Sequence, residues 1–190
     1  MSYEPKRAAQ LIAYLILKSG RGKLNILKAI KLVYLIDRES IKRFGFPVLD
    51  EKRCSMPHGP VNSMTYDHIN GVYDDDESGW SAILTDRENH NIALANREIR
   101  PDELDELSEA DIECADAVWG QFGHMTKWQL RDWTHDPRNV PEWEDPNGGS
   151  TEIPLQRILH AVGVANADEF VEVAKSFQQI DRAFAKARVH

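Results

Sequence analysis

Cysteine is almost missing from this 190-residue chain. Cys54 and Cys114 stand far apart and form no CxxC pair. A disulfide framework needs several pairable cysteines, so two ordinary thiols in a reducing compartment are expected. A zinc site on them would need histidines at ligand spacing, and none of the seven histidines stands so. Long apolar runs are missing too. The best candidate, Leu11 to Leu17, falls well short of the roughly 18–20 residues that cross a bilayer. The N-terminus lacks the basic, apolar and small-residue regions of a signal peptide. The expectation is a cytoplasmic protein with no membrane partner. Also missing are a GxSxG elbow, a Walker A loop, a GxGxxG after a strand and an HExxH. Gly20 and Gly22 lie between two predicted helices, so they make no phosphate loop. No cofactor, no metal and no catalytic residue is expected on these grounds, and there is no internal repeat.

What is present is an ordinary globular composition, 42% hydrophobic and 28% charged, in a length that suits one domain. The net charge of −8 is unevenly spread. Residues 1–60 carry 12 Lys and Arg against 5 Asp and Glu, whereas residues 61–190 carry 11 against 26. The acidic part repels nucleic acid; the basic part could attract it or an acidic protein. The plainer reading gives the basic residues to the solvated faces of two helices.

The apolar spacing predicts a mainly α fold, a compact helical domain with a small β-hairpin. A first helix runs from Pro5 to before Gly20, with Ala8, Leu11, Ile12 and Leu15 as its core stripe. A second runs from Ile26 to Phe44, capped by Asn25 and closed by Gly45. Its apolar face holds Ile26, Ile30, Val33, Ile41 and Phe44; its basic face holds Lys28, Lys31, Arg38 and Lys42. Met56 to Pro60 cannot be helical, and Pro60 is expected to open a third helix reaching about Tyr73. Trp80–Thr85 and Asn91–Ala95 read as the two strands of the hairpin. Further helices are expected from Ser108 to Gly123, from Thr126 to Trp133, from Pro154 to Val162 and from Asn166 to about Ala187. The Pro- and Gly-rich stretch from Pro137 to Gly149 reads as a loop and a boundary. It divides a domain at 1–146 from a C-terminal helical extension at 147–190, packed on the same domain.

Asp37 falls in the middle of an apolar face, where a carboxylate is costly unless it is paired. His58 could be its donor. The pair reads first as a structural anchor fixing the His-Gly-Pro turn to the second helix, and second as the acid/base pair of a hydrolase. A Cys54–His58 dyad is disfavoured, because nothing assures its geometry. The stripe Lys28, Lys31, Arg38 and Lys42 is a candidate contact for a partner. As a DNA reader it is weak, since the helix is long and strongly apolar on its other side. Trp119 and Trp128 are expected in the core. Trp143, in the loop, is the better candidate for an exposed partner contact.

The run from Leu24 to Glu39, the segment Phe44-Gly45-Phe46-Pro47-Val48 and the signature Met56-Pro57-His58-Gly59-Pro60-Val61 together resemble the Panacea domain of SocA-like antitoxins. Leu107 to Ile112 and Leu130 to His135 resemble its two downstream motifs, the last held by Thr134, His135 and Pro137. The resemblance covers roughly residues 8–145. It implies an antitoxin of a toxin–antitoxin system that binds and neutralises a cognate protein toxin. One SocA-like member works as an adaptor that delivers its toxin to a ClpXP protease, which adds such a protease to the implied partners. Related domains also occur in phage-associated proteins. No catalytic residues come with the family; Asp37, His58, Gly59, Pro60, Thr134 and His135 carry over as signature or anchor positions. The acidic charge of residues 61–190 suits a basic toxin. Autoregulation through DNA and a hydrolase using Asp37 and His58 are the alternatives.

Overall fold

The computed structural model describes residues 3–73, 78–85 and 87–187. The described residues form seven α-helices and five short strands, and half of the chain is helical. Helix α2, Ile26–Phe44, is the axis of the molecule. The Asn25 side chain accepts the Leu27 N–H at its start, and Gly45 closes it at φ +80° with its N–H on the Ile41 carbonyl. Positions Ala29 to Asp37 are buried without a break, so α2 is enclosed on all sides there rather than along one stripe. Helix α1, Pro5–Ser19, behaves alike: Ala8 to Ile16 are all buried, wider than the expected stripe. Around α2 pack α1, strand β1 (Lys23–Asn25), helix α3 (Ser63–Ile69), α4 (Glu109–Phe122), α5 (Lys127–His135) and α6 (Leu155–Ala161). Phe44, expected on the apolar face, is 43% exposed, because α2 outruns the core in its last turn.

The strands depart most from expectation. The His-Gly-Pro segment is the tip of a hairpin: β2 (Arg53–Met56) pairs antiparallel with β3 (Gly59–Asn62), Met56 opposite Gly59. Pro60 therefore lies in a strand, and α3 begins three residues later than expected. It also stops at Ile69, where Asn70 and Gly71, at φ +70°, turn the chain. The expected hairpin of Trp80–Thr85 with Asn91–Ala95 forms only in part: the Thr85 and Ala95 N–H groups donate to the Ala93 and Ile83 carbonyls, but the first strand starts in a turn. Trp80, Ile83 and Leu84 are buried at the spacing of a helical turn, and the Ile83 and Leu84 N–H groups donate to the Trp80 carbonyl. Strand β4, Asn91–Ala93, pairs along its length with β1, and residues 84 and 88 meet 94 and 91 as isolated antiparallel bridges.

After the loop, β5 (Thr151–Ile153) adds a third strand to the hairpin, antiparallel to β2. Ile153, Ile158, Leu159 and Ala167 join the common core. Helix α7, Ala167–Ala187, follows. The capping boxes at Ser108–Asp111 and Thr126–Gln129 are formed, which sets the starts of α4 and α5.

Candidate functional site

A buried polar seam joins α2 to the β2–β3 hairpin. Asp37 is fully buried on α2, and burial raises its pKa, opposed chiefly by Arg53. Its carboxylate accepts the Leu49 N–H (3.0 Å), Asn62 Nδ2 (2.7 Å) and Arg53 Nη1 (3.3 Å). Alongside, Glu51 accepts the Thr65 N–H (2.9 Å) and hydroxyl (2.6 Å), and burial pushes its pKa up to about 7. The expected Asp37–His58 pair is therefore replaced. Arg53 and Asn62 take the carboxylate, because they stand on strands that lie against α2, whereas His58 stands in the exposed turn.

Lys31 also changes place. It is 1% exposed, its ammonium donates to the Pro60 carbonyl (2.8 Å), and burial lowers its pKa to about 7. Gly59 sits over it at φ +93°. A Cβ on Gly59 would lie 3.0 Å from both Lys31 Nζ and Thr134 Oγ1. A side chain at position 59 would meet both a strained backbone and two crowded polar atoms. Thr134, itself fully buried, donates its hydroxyl to the Arg131 carbonyl at 2.9 Å. Lys31, Gly59, Pro60 and Thr134 thus meet at one packed junction between α2, the hairpin and α5.

Lys28 and Arg38 of the expected basic stripe are also turned inward. Lys28 Nζ donates to the Gly123 and Met125 carbonyls (2.6 and 2.8 Å), where unpaired carbonyls end α4. Arg38 donates to Glu142 (2.6 Å) and to the Asn139 carbonyl (3.1 Å); Glu142 is fully buried and also takes the Tyr34 hydroxyl. Of the four, Lys42 alone is exposed. The stripe faces α4, α5 and the 137–149 loop rather than water, which is why it is not the solvated face expected of it.

Above the junction lies an open trough lined by Pro57, His58, Arg131, Asp132, His135 and Asp136. His135 spans it. Its Nδ1 is 2.9 Å from the Arg131 carbonyl and its Nε2 is 2.9 Å from the Pro57 carbonyl. Both partners only accept, so a neutral ring donates to one of them at a time. Trp143 is half-buried; its indole N–H donates to the Met56 carbonyl (3.1 Å) and its ring meets His135 edge-on at 4.7 Å. Arg138 holds Asp136 down to a pKa of about 2 through hydrogen bonds. At one end stands Trp128, 53% exposed, with Lys127 and Arg131 each 4.9 Å from its ring centroid. Its expected place in the core is not where it lies. Leu130 and Thr134 mark the buried face of α5, and two residues before Leu130 corresponds to a turn of about 200° away from it.

Cys54 is opposite Val61 in the ladder and Cys114 is buried, its thiol pKa raised by burial. Among the described residues no group of three or more His, Cys, Asp or Glu gathers as for a metal, and no helix is long and apolar enough to cross a membrane. Sequence reasoning missed Glu51, Arg53, Asn62 and Glu142. They occupy short strands and a loop, where no periodicity announces burial.

No curated protein and no solved structure matches the chain. A family model does, one described as antitoxin SocA-like, Panacea domain, over residues 30–144. That span holds the polar seam, the Gly59 junction and the trough in one stretch of more than half the chain. The chain belongs to the SocA-like antitoxin family that carries the Panacea domain.

Proposed function

We propose that this protein binds a cognate toxic protein and neutralises it in the cytoplasm, without catalysis, through the face formed by the hairpin tip and α5. The observation that carries this reading is the build of that face. His58 and Trp128 are presented to solvent, while His135 and Trp143 beneath them are tied to backbone carbonyls. Aromatic and charged groups held this way suit a protein partner, because little side-chain entropy is lost when they are covered. Trp143, half-buried under this face, and Lys42, exposed near the end of α2, are further contact candidates. Charge favours a basic toxin for the acidic surface of residues 61–190.

A hydrolase built on Asp37 and His58 fits less well: Asp37 is sealed in the core with its own donors, out of reach of a substrate. DNA binding by the basic stripe fits less well too, since Lys28, Lys31 and Arg38 already serve internal carbonyls and Glu142. Neutralisation proceeds either by masking the toxin or by passing it to a ClpXP-type protease.

The test is co-expression with the neighbouring gene. Toxicity of that gene alone, rescue by this chain and co-purification of the pair are the expected results. Trp128→Ala and His58→Ala should weaken the rescue while the variant stays folded. Full rescue by both would move the contact away from this face. A toxin level that falls only when the protease is present would select the adaptor route; an unchanged level would select masking.

A further inference from the structure

A second cleft opens where α1 ends and the β1–β4 pair begins. Its volume is about 460 Å³. Small-molecule sites occupy roughly 300–1,000 Å³. Ile16, Leu17, Ala93 and Leu94 give it apolar walls, and Arg21, Lys23 and Arg97 stand around them. Among the described residues no carboxylate lines it. The three cations are exposed, and among the described residues none of their side chains makes a hydrogen bond or an ion pair. Other cations of the first two helices differ: Lys6, Arg7, Lys18 and Arg43 each have a carboxylate partner. In a chain of net charge −8, where carboxylates are in surplus, these three are left unneutralised. Arg21 even adds to a like charge, since the pKa of Lys28 is lowered by burial first and by Arg21 second.

The backbone holds each cation in place. The Gly20 N–H closes α1 on the Leu17 carbonyl, while the Ser19 hydroxyl donates to the Ile16 carbonyl and accepts the Arg21 N–H. Lys23 is opposite Ala93 in the β1–β4 ladder, and the Asn96 side chain accepts the Glu98 N–H around Arg97. A Cβ at Gly20 or Gly22 would meet nothing within 4 Å, so the turn offers bare backbone to a ligand. Compensation of the α1 dipole accounts for a cation at Arg21. It does not account for Arg97, which follows β4, or for the apolar walls.

We propose that this cleft binds a nucleoside polyphosphate, its phosphates on Arg21, Lys23 and Arg97 and its base against the apolar walls. Guanidinium forks match pairs of phosphate oxygens, and a lysine adds a point charge. A chain of phosphates carries the several negative charges that three cations answer. The walls select a flat, largely apolar body beyond the phosphates. The cleft shares no residue with the trough, so the proposal is independent of the toxin-binding reading.

The experiment is calorimetric titration of the full-length chain with adenosine triphosphate, guanosine triphosphate and inorganic triphosphate. It is run at about 0.15 M salt, where loose surface contacts are screened. Amide NMR with the same probes locates the site. At least one nucleotide should bind about tenfold more tightly than inorganic triphosphate or better. The shifted amides should lie at residues 20–23 and 93–97. Arg21→Ala combined with Arg97→Ala should weaken that nucleotide by about tenfold or more. Lys52→Ala combined with Lys175→Ala removes the same charge elsewhere and should leave binding unchanged. All four side chains are exposed, so the circular dichroism should be retained. Binding of neither nucleotide, equal binding of inorganic triphosphate, shifts elsewhere, or equal effects of the two double variants would overturn the proposal. A single-stranded oligonucleotide that binds the same amides more tightly than either nucleotide would overturn it too, and would assign the cleft to nucleic acid.

Discussion

Helices α2 and α7 have the same design on paper and opposite lives in the molecule. Each is about twenty residues long, with an apolar stripe and charges elsewhere. In α2 even the charged side is used up inside the fold: Lys31 is buried, Lys28 ends α4, Arg38 meets Glu142, and Asp37 holds the hairpin. In α7 even the apolar side is in part exposed. The contrast teaches that a helical pattern states what a helix can bury, and that the surrounding elements decide what it does bury. Helix α2 is surrounded by five other helices and by strands, so its polar groups had to find internal partners.

The sharpest way to break this comparison is at Asp37. Asp37→Ala leaves the buried Arg53 without its carboxylate and should cost about 3–5 kcal/mol, read from urea unfolding. A loss no larger than that of an exposed helical residue would mean that the seam does not hold α2 to the hairpin. Next comes Gly59→Ala, which places a Cβ 3.0 Å from Lys31 Nζ and Thr134 Oγ1 at positive φ. About 1–3 kcal/mol is expected. Gly20→Ala is the control: also at positive φ, but with nothing near the new methyl. It should cost less, and equal losses would show that backbone strain rather than crowding sets the Gly59 requirement.

Titration sharpens the same point. The folded-state pKa of Glu51 is raised from 4.5 to about 7, so between those values the folded state holds a proton the unfolded state has lost. Its contribution to stability therefore falls as pH rises through that window. The folded-state pKa of Lys31 is lowered from 10.5 to about 7, so above pH 7 the unfolded state holds the extra proton and stability rises with pH. Together the two groups place a minimum near neutral pH. Glu51→Gln should remove the falling limb and Lys31→Met the rising one, each followed by unfolding midpoints across pH. Limbs unchanged in the variants would assign them to other groups. The smallest effect belongs to the exposed side of the comparison. Trp128→Ala should leave the domain's stability within about 0.5 kcal/mol, as for surface positions generally. A larger loss would mean that the cation-flanked ring supports α5 rather than waiting for a partner.

How much of this was legible beforehand differs by element. Both ends of α2 can be read directly, because Asn25 and Gly45 act through local backbone chemistry that needs no distant partner. The same holds for the starts of α4 and α5, where the capping boxes close within four residues. The hairpin was harder. Met56-Pro57-His58-Gly59-Pro60 plainly breaks a helix, yet its flanks carry no alternation of polar and apolar residues, since all of β3 is buried. Trp80 to Leu84 misled because aromatic and branched residues imitate a strand, while their buried positions follow a turn.

The functional positions divide in the same way. The family motif, the burial cost of Asp37 and the glycine at position 59 are written in the chain, since each follows from residue type and near neighbours. Which groups answer that carboxylate, that Lys31 would be sealed under Gly59, and that Trp128 rather than Trp119 would face solvent were decided only by the tertiary structure. Those outcomes depend on which elements come to lie against α2, and long-range packing of that kind leaves no period in the sequence for a reader to find.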